Sequence, residues 1–361
     1  MRAPWRCDVD DAELRPRGAV VRMAPYSPPT GGRAGKLRLD FNENTVGCSP
    51  AVVNALVQAI TRERLTIYPE YEATRAALAQ FFGLPQTQFL LTNGTDEAIQ
   101  VLVNTFVDDD QEVIILTPSY AMYRFYSDVA GAKVRTLPYR AGTLEFPLEE
   151  LLAAITPQTR AILISNPNNP TGAAIELPAI EQILQRAPHA AVLLDEAYYE
   201  FCGVTALPLI GRYQNLFVGR TFSKAYGLAG LRIGCLFSQA ENVKFLHKAQ
   251  SPYSVNILAA IAARAGIGDQ SYVQQFVQQA NAARDLLYAG FEQRGIRYYP
   301  SRGNFVLFYM GSACIAVRDG LRDRGVLVRD RSYEIEGCVR VTAGTPEQVQ
   351  RFFAALDEVR R

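Results

Sequence analysis

Histidine is almost missing from this chain, with only His189 and His247 among 361 residues. The six cysteines, Cys7, Cys48, Cys202, Cys235, Cys314 and Cys338, are scattered without a CxxC pair. Together these scarcities argue against a zinc site, a disulfide scaffold and a histidine-based triad. Charge of one sign is also lacking. Lys and Arg number 37 against 36 Asp and Glu, a formal balance of +1, which gives no electrostatic footprint for nucleic acid or an anionic membrane. No run approaches the roughly 18 apolar residues of a membrane span. The opening MRAPWRCDVDDAELRPR is charged and lacks the apolar centre of a signal peptide. A reducing, cytoplasmic setting is therefore expected, with no metal, no nucleic acid and no membrane as partner.

What is present is an ordinary globular composition, 48% hydrophobic and 20% charged, in a chain long enough for two cores. Residues 1 to about 35 are rich in Arg, Pro and Gly without sustained periodicity and read as an extended arm. From about residue 50, apolar strands alternate with amphipathic helices. The candidate strands are Phe89–Thr92, Val113–Leu116, Ala161–Ser165, Ala191–Asp195, Asn215–Val218 and Ile233–Phe237. Near-continuous runs such as VIIL and AILIS mark strands covered on both faces. The expected fold is α/β, with a mostly parallel sheet that offers ligand sites at the carboxyl ends of its strands. After Pro252 the pattern changes to long helices and short strands, an α+β unit of roughly 100 residues. The expected division is residues 1–49 as arm and part of a small domain, 50–255 as a large domain, and 256–361 as the small C-terminal domain.

The chemistry-bearing motifs all fall at expected strand ends. VGRTFSKAYGLAGLRIG, residues 218–234, sets Thr221 and Ser223 beside Lys224, with Arg232 following. An amine beside two hydroxyls and a guanidinium suits a site that holds a phosphate and bonds an aldehyde, and pyridoxal 5'-phosphate (PLP) carries both groups. NGTDEAIQ, residues 93–100, runs from a strand through a glycine turn into a helix start, a ready anion site. TPSYAMY carries Tyr120, with Tyr123 read as a core residue. SNPNNPTG, residues 165–172, fixes a turn that leaves amide side chains at the sheet edge. LLDEAYYEF ends an apolar strand on Asp195, a carboxylate that needs a cationic partner or several donors.

This set resembles the Schiff-base signature and partner motifs of the class I/II aminotransferases of fold type I, and within them most closely the histidinol-phosphate aminotransferases. The resemblance implies a large α/β/α domain that binds PLP and a smaller α+β domain. It implies that Lys224 bonds the cofactor and acts as general base, and that Asp195 pairs with the ring nitrogen. Asn169 and Tyr198 would meet the phenolic oxygen, and Tyr120 would stack on the ring. Gly94, Thr95, Asp96, Thr221, Ser223 and Arg232 would face the phosphate, joined by Tyr68 from a neighbouring subunit in a homodimer. CVRVTAGT supplies Arg340 for a substrate carboxylate, GVLVRDRS supplies Arg329 for a substrate phosphate, and Tyr26 and Asn44 lie at the same end. The implied reaction is ping-pong transfer from an amino donor, L-histidinol phosphate, to a 2-oxo acid, 2-oxoglutarate.

The sequence also departs from that pattern. Phe41 precedes NEN where a small residue is common, and Thr45 and Val46 replace the usual Pro and aromatic. These residues border the substrate, so a transaminase of the same lineage acting on an aromatic or specialised amino acid is the alternative. A decarboxylase resembling the threonine-phosphate enzymes fits less well, because their His-Gly-Gly segment is absent.

Overall fold

A computed structural model describes residues 14–25 and 31–361. The strands in chain order are β1 (Leu37–Arg38), β2 (Phe89–Thr92), β3 (Glu112–Thr117), β4 (Lys133–Pro138), β5 (Thr159–Ser165), β6 (Ala191–Asp195) and β7 (Leu216–Thr221), then β8 (Gly234–Phe237), β9 (Tyr298–Tyr299), β10 (Phe305–Tyr309), β11 (Val326–Leu327), β12 (Arg329–Asp330) and β13 (Cys338–Thr342). Seven of them form one sheet in the order β2-β8-β7-β6-β5-β3-β4. β3 to β7 pair in parallel, and only β8 runs against its neighbours. β6 and β7 are buried along their whole length, which is why their sequences carry no alternation. β4 is the exception to the sequence reading, which has no strand there. KVRTLP lies at the sheet edge and is exposed or half-buried throughout, so its charged residues hide the strand from an apolar-run criterion.

A second, four-stranded sheet has the order β12-β13-β10-β9 and antiparallel pairing. Its core gathers Phe291, Phe308, Phe352, Val339 and Val341 with Leu39. The helices Gln270–Gln293 and Pro346–Val359 supply much of this core. The latter begins in a capping box between Thr345 and Gln348, which satisfies two orphan N–H groups at the helix start. β1 pairs in parallel with β11, and Leu39 O accepts the Thr342 N–H at 2.9 Å. The chain therefore leaves the two-stranded β1-β11 pair, beside β13 of the second sheet, at residue 39, and the next residues, Asp40 to Asn44, run toward the carboxyl ends of the large sheet's strands. That crossing is what brings the two sheets to one site.

Candidate active site

Because β5, β6 and β7 run parallel, the loops after Ser165, Asp195 and Thr221 open on one side of the sheet. A cavity of about 670 Å³ lies there, lined by Asn169, Asp195, Tyr198 and Lys224 together with Thr95, Asp96, Tyr120, Thr221, Ser223 and Arg232. Lys224 Nζ donates to Phe41 O at 3.0 Å and lies 5.8 Å from the Tyr198 ring centroid. Asp195 is 3% exposed. Its Oδ2 accepts from Tyr123 Oη at 2.9 Å and its Oδ1 from the Ala197 N–H at 3.1 Å. Burial pushes its pKa up to about 6, against the lowering effect of those two donors. A carboxyl so placed is unusually ready for a cationic partner. Glu196, the next residue, turns the other way and pairs with Arg220 at 2.9 Å.

The loop SNPNNPTG explains which amide is free. Asn166 exchanges two hydrogen bonds with the Ile175 backbone. Asn168 donates to Pro118 O and Thr171 Oγ1 and accepts from Ser119 Oγ. Both amides hold the turn, so Asn169 alone of the three is left at the cavity, where its Oδ1 accepts from Arg340 Nη1. Gly172 presses the far end of this loop against the second sheet's unit. Its φ is +78°, and a Cβ there would lie 2.4 Å from Ser301 Cβ.

The opposite wall forms an anion cradle. The helix Gly94–Phe106 starts directly after β2, and Asn93 gives it no side-chain cap, so its first N–H groups keep their capacity for a ligand. Gly94 has φ +72°, and a Cβ would come 2.5 Å from Arg232 Nη2, filling the cradle. Arg232 itself adopts a left-handed φ of +56°, a conformation rare outside glycine and concentrated at functional sites. Asp96 departs from expectation in one respect. Its carboxylate accepts from Arg232 Nη2 at 2.8 Å and from Tyr120 Oη at 2.7 Å, so it orients those two side chains, and only its backbone N–H can face an anion.

Arg329 and Arg340, the two arginines expected to meet the substrate, also line the cavity, and Arg340 Nη2 donates to Asp40 O at 2.7 Å. Asn44 does not join them. Its side chain is taken up by Ala225 O and the N–H groups of Val46 and Gly47, a local turn that holds the loop before the helix Pro50–Ala59. Tyr26 lies outside the described residues. Tyr68 is not among the residues lining the cavity of its own chain; it is 75% exposed, with its ring centroid 4.6 Å from that of Tyr253.

The structure also brings in residues that sequence reasoning missed. Tyr123, expected in the core, is fully buried yet holds Asp195. Its spacing of three from Tyr120 at a helix start sets both on one face, but nothing in the sequence links it to an acid on another strand. Asn42, at a left-handed φ of +56°, donates from Nδ2 to Tyr198 Oη at 3.0 Å. Its position in LDFNEN, and the tolerance of Asn for that conformation, were the available signals. Arg33, Glu43, Arg331, Tyr333 and Glu334 also line the wall, beside Phe41, which the sequence had already put at the substrate's border.

Residues 34–356 match the family described as aminotransferase class I and II. The chain belongs to this family. Among similar curated aminotransferases, the histidinol-phosphate aminotransferase of Geobacillus sp. (strain WCH70) is 35% identical over 331 residues, covering 90% of each chain. That of Symbiobacterium thermophilum is 36% identical over 354 residues, covering 94% of this chain and 97% of its own. The crystal structure of the Sinorhizobium meliloti histidinol-phosphate aminotransferase, in complex with pyridoxal-5'-phosphate, superposes with a TM-score of 0.88 at 25% identity, covering 96% of this chain and 98% of that one. In this aminotransferase, then, the cavity at the strand tips is the place to look for chemistry.

Proposed function

We propose that this aminotransferase binds PLP in the cavity and transfers the amino group of L-histidinol phosphate to 2-oxoglutarate. The observation that carries the reading is the convergence of one amine, one acid and one amide, Lys224, Asp195 and Asn169, from three separate strand tips onto one cavity. The residues fit the cofactor. The uncapped helix start at Gly94 with Thr221, Ser223 and Arg232 receives a phosphate, and the buried Asp195 receives a protonated ring nitrogen. When bound, PLP supplies an electron-withdrawing ring that stabilises negative charge at the substrate Cα. Lys224 Nζ, whose hydrogen bond is to a neutral carbonyl, Phe41 O, would be the amine that holds the cofactor's aldehyde carbon and, as a free amine, the base that takes up the substrate Cα proton. Tyr198 and Asn169 would hold the ring's phenolic oxygen, and Tyr120 would cover its face. Arg329 and Arg340 receive the anionic end of either substrate.

The same reading makes the working unit a homodimer in the cytoplasm. Exposed apolar side chains, Val57, Ile60, Leu65 and Ile67, precede the exposed Tyr68, a concentration that marks an interface. From there Tyr68 would reach the neighbouring subunit's cofactor phosphate. Residues 50–255 would form the large domain and 256–361 the small one, with the segment before residue 50 shared.

Lys224→Ala tests the core of this reading. The expected result is loss of covalently held cofactor, seen as no mass adduct after borohydride reduction, with turnover of L-histidinol phosphate and 2-oxoglutarate lower by orders of magnitude. Near-normal turnover in that variant would overturn it.

A further inference from the structure

Arg33 uses all three of its guanidinium nitrogens on two carboxylates. Nε and Nη2 donate to Asp40 Oδ2 and Oδ1 at 3.1 and 2.9 Å, and Nη1 and Nη2 donate to Glu43 Oε1 and Oε2 at 3.2 and 2.6 Å. Both contacts are bidentate, the geometry that fixes orientation as well as distance. The three side chains are largely withdrawn from solvent, so salt screens them little. Burial opposes the charge on Arg33, yet its hydrogen bonds to Glu43 and Asp40 raise its pKa above the ordinary value.

The chain between those two carboxylates is the part of the loop that touches the site. Asp40 O accepts from Arg340 Nη2 at 2.7 Å, Phe41 O accepts from Lys224 Nζ at 3.0 Å, and Asn42 Nδ2 donates to Tyr198 Oη at 3.0 Å. Two of these three bonds are made by the backbone, so whatever holds the loop's backbone sets where Lys224 and Arg340 rest. The Phe41 ring adds to the grip, with Arg33 Cζ 4.6 Å from its centroid. Without the guanidinium, Asp40 and Glu43 would stand as two half-dry carboxylates with no shared counter-ion, and their repulsion would open the loop. Burial alone would raise the Glu43 carboxyl, but the hydrogen bond and charge of Arg33 bring it below the usual value, with smaller help from Arg38 and Lys224.

We infer that Arg33 is a positioning residue for Lys224: by gripping Asp40 and Glu43 at once it fixes the loop between them, and through Phe41 O it sets where the Lys224 amine waits. The inference rests on the proposed function in taking Lys224 as the amine that bonds the cofactor. It deepens that reading by giving the amine's placement to a side chain that makes no hydrogen bond to it.

The test compares two probes on the full chain freed of cofactor. PLP has the aldehyde that an amine can bond, and its covalent capture is timed by borohydride quenching and mass measurement. Pyridoxine 5'-phosphate has an alcohol in that place, cannot be captured, and is titrated calorimetrically. In Arg33→Ala the capture rate is expected to fall roughly tenfold or more, because a displaced amine reacts slowly. The Kd of pyridoxine 5'-phosphate should change by less than about threefold, as for a site that does not share the loop. Hydrogen exchange at the Asn42 amide, which donates to Thr342 Oγ1 at 3.0 Å, should quicken roughly tenfold or more as the loop opens. Arg33→Lys, which keeps the charge and loses the fork, should lie between that variant and the wild type. Capture at the wild-type rate in Arg33→Ala, unchanged exchange at Asn42, or equal losses for the two probes would overturn the inference, the last by showing that Arg33 merely supports the fold. A wild-type chain that captures PLP at Lys224 but does not turn over L-histidinol phosphate would instead sink the substrate reading and leave this one standing, and a wild-type chain that captures no PLP there would sink both.

Discussion

Tyr123 Oη donates a 2.9 Å hydrogen bond to Asp195 Oδ2, so the acid at the tip of β6 is anchored by a helix that leaves the sheet two strands away, after β3. The ring of Tyr123 also meets Tyr120 edge-on, with centroids 5.7 Å apart. One short helix, Ala121–Ala130, thereby ties the position of Asp195 to that of the residue expected to cover the cofactor ring.

Tyr123→Phe is therefore expected to weaken cofactor binding without emptying the site. A hydrogen bond to a charged group contributes about 1.5–3 kcal/mol, part of which the paired ring nitrogen can replace. Affinity for PLP should fall roughly tenfold, equivalent to about 1.4 kcal/mol. Equilibrium titration of cofactor-free protein by absorbance measures this. An unchanged Kd would return Tyr123 to the role of core filler.

The wall proposed to hold the cofactor was legible in the sequence because its principal residues are placed by a local rule. Lys224, Asn169 and Asp195 each follow an apolar run that can only be a buried strand, and a parallel sheet sends the ends of such strands to one side. The wall proposed for the substrate was much less legible. Arg33 reaches the cavity through the pairing of β1 with β11, segments at opposite ends of the chain, and Arg331 and Glu334 lie in the irregular turn between the short paired strands β12 and β13; neither arrangement leaves a periodic trace. Asn44 was overvalued for a related reason, since an asparagine in a loop serves its own backbone as readily as a ligand.

The buried carboxyl of Asp195 predicts a pH dependence in the cofactor-free protein. Its pKa rises from 3.8 to about 6 on folding, chiefly through burial. Between those values the folded form holds a proton that the unfolded chain has released, so stability falls as pH rises through the window and the cost is complete above it, about 3 kcal/mol. Asp195→Asn lacks this titration. Urea denaturation at pH 4.5 and 7.5 should show the variant gaining on the wild type by up to that amount at the higher pH. A difference between the two proteins that does not change with pH would contradict the assignment.

Gly172→Ala is expected to be strongly disruptive for a change of one methyl group. The position combines a left-handed φ of +78° with a Cβ site 2.4 Å from Ser301 Cβ, and Gly172 O accepts the Arg302 N–H at 2.9 Å. Strain and overlap together should cost about 2 kcal/mol or more. Because Asn169 sits three residues away on the same turn, cofactor affinity should drop along with the urea midpoint. Loss of stability with an unchanged cofactor Kd would show that the turn holds Asn169 independently of its contact with the second unit.

The proposed reach of Tyr68 into the neighbouring site has a decisive test in mixed dimers. Tyr68 is 75% exposed and, among the described aromatic rings, packs only on Tyr253. Tyr68→Ala should weaken cofactor binding about tenfold, the loss of one charge-assisted hydrogen bond. Lys224→Ala should be inactive. If the two variants are unfolded together and reassembled, half the dimers carry one chain of each kind. In those, the site built on the intact Lys224 receives its tyrosine from the other chain, whose Tyr68 is unaltered. At cofactor concentrations that leave Tyr68→Ala mostly empty, activity should recover to about a quarter of the wild-type level. If Tyr68 served only its own chain, every intact lysine would still face an alanine, and mixing would restore nothing.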